Sequence, residues 1–286
     1  MRSKNVYTIN CNGRLLSTER PLVMGILNVT PDSFFDGGKY FDLADNIRNR
    51  ANQILSEGAD IIDLGAYSTR PGADFVSPDE EMRRLAGALD VIRRDHPDAV
   101  ISVDTFRGSV ARRCVSDYKV DIINDISAFE MDDDMFQAVV DLRVPYILTH
   151  IKGEPQTMQL SPHYEDRVTR EVIRTLSKKL NLLTSNGVSD IIIDPGFGFG
   201  KTVDDNYQLM SDLQEFQTLR HPVLVGISRK SMIYKVTGGT PQSSLTGTSV
   251  LNALALIGGA DILRVHDVRP CVEVCQVVSK FLDNRL

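Results

Sequence analysis

Long apolar runs, basic clusters and ordered cysteines are what this 286-residue sequence has little of. No apolar stretch is long enough to span a bilayer, and residues 1–20, MRSKNVYTINCNGRLLSTER, lack the continuous apolar core of a secretory signal. The expectation is a cytoplasmic protein with no membrane partner. Acidic residues outnumber basic ones, 38 against 32, for a formal charge of −6, and no long Lys/Arg cluster occurs. That balance excludes a general nucleic-acid or anionic-membrane surface, so any phosphate chemistry has to rely on a few placed cations. The four cysteines, Cys11, Cys114, Cys271 and Cys275, are scattered, and only the last two have a regular spacing. Their C-x-x-x-C lies in a helix-like tail, where i and i+4 neighbours pack together, and reduced thiols are the simpler reading. There is no H-E-x-x-H and no nucleophile elbow with Ser, His and Asp in order. No Pro/Gly/Ser linker or low-complexity segment divides the chain, which is expected to form a single domain over 1–286, with 1–20 as a β-hairpin extension.

What is present is a repeated pattern. The opening VYTINCNGRLLS alternates around Asn12-Gly13, a two-residue hairpin signal. From residue 22 onward eight short β-branched runs follow: LVMGILNV, ADIIDLG, VISVDTF, DIINDIS, VPYILTHI, DIIIDPG, PVLVGIS and ADILRVH. Between them lie segments of helical period. Leu43, Ala44, Ile47, Ala51, Ile54 and Leu55 share one face of the first; Leu85, Leu89 and Ile92 follow Asp79 in the next; Tyr207, Met210, Leu213 and Phe216 mark a later one. Apolar strands alternating with amphipathic helices imply a parallel sheet covered by helices. Eight such units in this length fit an α/β fold of the closed (β/α)8 barrel type, with an open doubly wound sheet as the alternative.

In a parallel barrel the C-terminal strand ends form the active face. Those positions hold Asn28 and Thr30, Asp63, Asp104, Asn124 and Asp125, His150, Asp194, Arg229 and Lys230, and Arg264 and His266. One buried Asp or Asn is usually structural, but recurrence at every strand end of one face is not what helix capping alone produces. Alternation projects Arg264 and His266 to the same side, and sets Asp104 and Asn124 opposite in sense to Val103 and Ile123. A barrel mouth holding Asp104, Asn124, Asp194 and Arg264 suits a small heterocycle rich in N–H donors, with the guanidinium plane available for stacking. Alternatively Arg264 and Lys230 pair with Asp104 and Asp194 simply to satisfy buried carboxylates. The turn DPGFGFGKT falls short of a P-loop, because Pro195 stands where the first glycine is required, and its glycines miss the G-x-G-x-x-G spacing. It reads instead as a glycine-rich turn exposing Phe197 or Phe199 at a pocket rim, with Lys201 as a solvated loop cation. His150 reads either as a base or as a packed core residue.

Seven motifs in order at successive strand ends resemble the dihydropteroate synthase family, the folate-pathway enzymes inhibited by sulfonamides: GILNVTPDSFFDGG, STRPGA, SVDT, NDI, DPGFGFGK, SRKS and RVHD. The resemblance runs from about residue 22 to the end of the chain. It implies a transferase in which p-aminobenzoate displaces pyrophosphate from (7,8-dihydropterin-6-yl)methyl diphosphate, giving 7,8-dihydropteroate. By that similarity the pterin sits on Asp104, Asn124, Asp194 and Lys230 with Arg264 stacked against it. The diphosphate is held by Thr69, Arg70, Arg264 and His266, and Asn28 contacts a Mg²⁺ that bridges phosphate oxygens. The aromatic amine enters near Phe34, Pro71, Phe199 and Ser228. Thr30, Pro31, Asp32 and Phe34 belong to a loop that closes over the site, with Asp32 near the developing pterin methylene cation, and Gly37 and Gly38 give that loop its freedom. Asp32, Lys230 and Arg264 are the catalytic candidates. The family also implies a homodimer through later helices, for which VLNALALIGGA and VEVCQVVSKFL are compatible.

Some positions depart from the family's commonest pattern: Thr149 and Ile151 flank His150 where methionines are frequent, Phe35 stands where serine is common, and Met232-Ile233-Tyr234 replaces a Phe-Leu-Gly. Asp63 and Asp125 have no assigned role. Two other readings stay open: a pterin-binding barrel of the methyltetrahydrofolate methyltransferase type, which has no diphosphate to hold, and a catalytically silent pterin-binding module, for which the lid and phosphate residues would be expected to have decayed.

Overall fold

A computed structural model of the protein describes residues 5–30, 40–67, 76–153, 157–158 and 162–284, without the side chains of 40–43. Asp32, Phe34, Thr69, Arg70 and Pro71 lie outside the described residues.

The first two strands, β1 (Thr8–Cys11) and β2 (Arg14–Ser17), pair antiparallel across Asn12-Gly13. Both turn residues have positive φ, 51° and 87°, the conformation that a tight hairpin demands and that Asn and Gly tolerate. Eight parallel strands follow: β3 (Leu22–Asn28), β4 (Ile61–Gly65), β5 (Val100–Asp104), β6 (Ile122–Asp125), β7 (Tyr146–Thr149), β8 (Ile191–Asp194), β9 (Leu224–Val225) and β10 (Ile262–Val265). They neighbour one another in chain order, with β10 lying between β3 and β9. A parallel bridge between Ile193 and Val223 joins β8 to the approach of β9 and closes the ring. Outside it lie α1 (Tyr40–Ser56), α2 (Pro78–Asp95), α3 (Gly108–Tyr118), α4 (Asp133–Leu142), α5 (Val168–Ser185), α6 (Val203–Ser211), α7 (Ser231–Thr237), α8 (Leu245–Ile257) and α9 (Val268–Asp283). The architecture is the expected (β/α)8 barrel with an N-terminal hairpin.

Each of the eight barrel strands is buried on both faces, and strict alternation divides its residues between two cores. Leu22, Met24, Ile61, Val100, Ile122, Ile147, Ile192, Leu224 and Ile262 fill the barrel interior together with Ile9 and Cys11, so the hairpin plugs the N-terminal mouth. The intervening positions, such as Val23, Ile62, Leu64, Ile101, Val103, Ile123, Leu148, Ile193 and Leu263, pack beneath the helices. Buried Ile47, Ala51 and Ile54 give α1 its inward stripe, and Leu85, Leu89 and Ile92 do the same for α2. The segment expected as one helix through Phe216 is broken: α6 ends at Ser211, and a 3₁₀ turn over Leu213–Leu219 carries Phe216 into the core. Asp212, at the break, accepts hydrogen bonds from Arg167 and from Thr169 Oγ1 (2.7 Å). A buried carboxylate tied to α5 is satisfied there at the cost of α-helical continuity. Among the described residues no helix is long and apolar enough to cross a membrane.

Candidate active site

Toward the C-terminal mouth the inward positions turn from aliphatic to polar. β3 contributes Asn28, β4 Asp63 and Gly65, β5 Asp104, β6 Asn124, β7 Thr149, β8 Asp194 and β10 Arg264, with Ser228, Lys230 and His266 just beyond β9 and β10. Arg264 is the hub: Nε donates to Asp63 Oδ2 at 2.6 Å and Nη2 to Asp104 Oδ2 at 2.7 Å. Asn124 Nδ2 donates to the same carboxylate as Arg264 Nε, 3.2 Å from Asp63 Oδ2 and 3.3 Å from Asp63 Oδ1. One planar cation thus bridges two carboxylates on neighbouring strands, which a lysine could not do with the same fork. The guanidinium is held more firmly protonated by these two anions, while burial and the neighbouring Asp63 push the Asp104 carboxyl up to about 7 against the pull of Arg264.

Asp63, unassigned by sequence, is a central member: it is fully buried and receives both Arg264 and Asn124. Alternation carried the signal, because Asp63 is in phase with inward Ile61. Asp125 is out of phase with Asn124 and faces away from the mouth. Its carboxylate accepts from Ser127 N (2.8 Å), Ser127 Oγ (2.7 Å), Phe129 N (2.7 Å) and Tyr146 Oη (2.6 Å), bracing the bend that follows β6.

Of the alternative in which Arg264 and Lys230 pair with Asp104 and Asp194, the Arg264–Asp104 pair forms, whereas Lys230 makes a different contact. Lys230 Nζ donates to the Phe197 carbonyl and sits 4.6 Å from the centroid of the Phe199 ring. Asp194 Oδ1 accepts from the Gly196 amide at 2.8 Å, leaving Oδ2 for another donor. Burial raises the Asp194 carboxyl and lowers the Lys230 ammonium to about 8. Of the two aromatics offered for the rim, Phe199 is the one that reaches it, while Phe197 is fully buried. The turn differs from its sequence reading at one residue. Lys201 is not a solvated cation: it is 2 % exposed and donates to Gly196 O (2.8 Å) and Phe199 O (3.1 Å) and pairs with His150 Nδ1 (3.0 Å). His150 is therefore the packed core residue of the two readings, its imidazole held neutral by burial and the adjacent lysine.

At the rim, His266 Nδ1 lies 3.0 Å from Ser228 Oγ, which also accepts from the His266 amide at 3.2 Å. Arg229 pairs with Asp267 (2.6 and 3.0 Å) rather than facing the mouth. Asn28 Oδ1 overhangs Gly65; a Cβ built there would come within 3.0 Å of it and 3.6 Å of the Asp104 Cβ. The missing side chain leaves room between the Asn28 amide and the Asp104 carboxylate. No cluster of three metal-ligating side chains exists among the described residues. The Asn28 amide oxygen alone would fit a Mg²⁺ carried in on phosphates, since magnesium is commonly held by one or two protein oxygens plus substrate phosphate and water.

Fold and site together define a (β/α)8 barrel whose mouth is built for a polar heterocycle, with carboxylates and an amide for its donors and a guanidinium beside them. The sequence pattern of the family described as pterin binding enzyme matches residues 24–266. Dihydropteroate synthase of Haemophilus influenzae is 41 % identical over 268 residues, covering 93 % of this chain and 96 % of that one. The Escherichia coli K12 dihydropteroate synthase is 40 % identical, covering 94 % and 95 %. Among solved structures, the Yersinia pestis dihydropteroate synthase with a sulfonamide drug complex superposes with a TM-score of 0.90 at 36 % identity, covering 98 % of this chain and all of that one. The Xanthomonas albilineans dihydropteroate synthase in complex with 7,8-dihydropteroate gives 0.86 at 36 % identity, covering 96 % and 99 %. The chain belongs to the dihydropteroate synthase family of pterin binding enzymes, and is accordingly a transferase.

Proposed function

We propose that this chain condenses (7,8-dihydropterin-6-yl)methyl diphosphate with p-aminobenzoate, forming 7,8-dihydropteroate and releasing pyrophosphate. The observation that carries this reading is the Asp63–Arg264–Asp104 bridge set among Asn124, Asp194 and Lys230 in the barrel mouth. The amidine-like N–H donors of a pterin require carboxylate and carbonyl acceptors in fixed positions, and Asp104, Asn124 and the open Oδ2 of Asp194 supply them. Arg264 offers its face to the ring and its charge to the departing diphosphate, with His266 beside it and Thr69 and Arg70 as further phosphate contacts.

Carbon–oxygen cleavage is rate-limited by the charge that builds on pyrophosphate, so few but well-placed cations suffice in a chain of net charge −6. Asn28 is the residue that would hold Mg²⁺ through its amide oxygen. When bound, the metal would neutralise charge on the diphosphate. As the bond breaks, positive charge spreads over the pterin methylene and ring, and Asp32 is the carboxylate assigned to stabilise it. The amine nucleophile, taken up near Phe34, Pro71, Phe199 and Ser228, attacks that carbon directly, so no covalent enzyme nucleophile is needed. Lys230, lowered to about 8 by burial, remains largely protonated near neutral pH and donates toward the ring. Positioning and electrostatics carry the rate.

The reading includes work in the cytoplasm, in keeping with four buried thiols, and a homodimer formed through α8 and α9. Its test is pyrophosphate release by the purified protein given the pterin diphosphate, Mg²⁺ and p-aminobenzoate. Release that depends on the amine and disappears in Arg264→Ala is the expected outcome. Tight pterin binding with no release would make the chain a silent binding module.

A further inference from the structure

Lys201 lies beneath the barrel mouth rather than in solvent, on the turn between β8 and α6. Burying an ammonium is unfavourable unless hydrogen bonds and countercharge compensate, and a methionine would fill similar space without that penalty. What the position gains is connectivity. Lys201 Nζ reaches acceptors on two elements: His150 Nδ1 at the end of β7, and the carbonyls of Gly196 and Phe199 near the two ends of the glycine-rich turn. Residues 196–199 also make the turn's contacts with Asp194 and Lys230. Gly196 N donates to Asp194, Phe197 O receives Lys230, and the Phe199 ring underlies the Lys230 ammonium.

The turn is also tied by Phe199 N to Gly196 O (3.1 Å) and by Tyr164 Oη to Gly200 O (3.0 Å), with fully buried Phe197 at its middle; Lys201 adds a bond at both Gly196 O and Phe199 O. Gly196, Gly198 and Gly200 all have positive φ (71°, 79° and 63°), and such a backbone is permissive unless pinned. Asn206 adds one bond, accepting from Gly198 N at 2.7 Å. His150 accepts at Nδ1, which fixes its proton on Nε2 and makes it a neutral partner for the lysine.

We infer that Lys201 is a positioning residue for the pterin ring: it clamps the 196–199 turn so that Asp194 and Lys230 meet the heterocycle in fixed geometry, and its charge keeps the Asp194 carboxylate available to the ring's N–H donors. The inference rests on the synthase reading above. Charged and titratable groups facing Lys201 are Asp194 on β8, Asp205 on α6, His150 and Lys152 at the end of β7, and Lys230 at the start of α7. Those facing Asp194 are Lys230, Arg264 and Lys201. Burial lowers the Lys201 ammonium to about 7, so its charge is present on the acid side of neutrality and lost above it.

The experiment is calorimetric binding of 6-hydroxymethyl-7,8-dihydropterin, which lacks the diphosphate and so reads ring contacts alone, by full-length wild type, Lys201→Met and Lys201→Gln across the neutral pH range. Lys201→Met is expected to bind about tenfold more weakly, with the acid limb of binding displaced toward neutral pH because Asp194 is more easily protonated. Lys201→Gln, which restores N–H donors without charge, is expected to recover affinity in part while keeping the displaced limb. A Lys201→Met protein that melts at lower temperature yet binds with wild-type affinity and an undisplaced limb would reduce Lys201 to packing and overturn the inference, with the synthase reading intact. Should neither variant fold, Asp104→Asn with Lys201 intact decides, because the Asp104 carboxyl titrates at about the same pH with the opposite effect on ring binding. Its remaining affinity should fall severalfold as pH rises through about 7, before the separate loss at Lys230, and constant affinity in that protein overturns the inference. A wild type that binds no pterin at any pH overturns the synthase reading as well.

Discussion

At Arg264, substitution can separate charge from shape. Arg264→Lys keeps a cation near Asp63 and Asp104 but cannot reproduce the fork that reaches both at 2.6 and 2.7 Å. It is expected to lower kcat/KM about 100-fold while leaving most of the stability, as seen by steady-state assay alongside denaturant melts. Arg264→Ala leaves fully buried Asp63 without its cation, and a loss of about 3–5 kcal/mol of stability is expected in addition to inactivity. Melts showing no difference between the two variants would contradict the bridge. The residue scale also sets the pH dependence of stability. Asp104 is raised from 3.8 to about 7, so between those values the folded state binds more protons than the unfolded one, and stability falls as pH rises. Lys201 is lowered from 10.5 to about 7, so above neutrality the unfolded state binds more protons and stability rises with pH. A shallow minimum near neutral pH is expected in unfolding free energy. Asp104→Asn should flatten its acid side and Lys201→Met its alkaline side; acid and alkaline slopes that survive both substitutions would refute the assignment.

At the scale of elements the glycine-rich turn is the informative piece. Its glycines were visible in the sequence, but spacing alone could not say which of them face backbone. At Gly196 an added Cβ would lie 1.8 Å from the His150 carbonyl oxygen, and at Gly200 2.1 Å from that of Lys152, whereas at Gly198 the nearest atom, at 3.2 Å, is the Lys230 Cδ. Gly196→Ala is therefore expected to cost about 3 kcal/mol or more and to abolish pterin binding. Gly198→Ala, strained by its φ but facing a flexible side chain, should cost about 1 kcal/mol. Thermal melts with pterin titrations of both variants check the order, and equal effects would refute it. The same turn shows why Lys201 reads as solvated and why the sequence leaves Phe197 and Phe199 equivalent. A Lys beside glycines looks exposed, and only the approach of His150 at the end of β7 and the burial of Phe197 decide the two cases.

At the scale of the whole molecule, the described residues include an exposed apolar strip on α8 and α9. Val250, Leu254 and Ile257 on α8 and Val277 and Phe281 on α9 are each more than 40 % exposed, and the two helices pack against each other. Charged substitutions at Val250 and Leu254 are expected to convert the proposed homodimer to monomers with the fold intact, measured by sedimentation and circular dichroism. A monomeric wild type would remove the dimer from the reading.

The sequence by itself determined the strand count, the hairpin and the face on which polar residues gather. Those follow from local rules: an Asn-Gly turn, a period of two along strands, a period near 3.6 along helices. From alternation alone Asp104, Asn124, Asp194 and Arg264 could be assigned to one mouth. Tertiary structure decided who pairs with whom. Arg264 meets Asp63 across 201 positions of chain and Asp104 across 160, and no local pattern encodes such a contact. It also decided that Lys230 binds a carbonyl instead of Asp194, and that Lys201 is buried. Desolvation and pairing depend on what else arrives around a group, and around this mouth those neighbours come from eight strands at once.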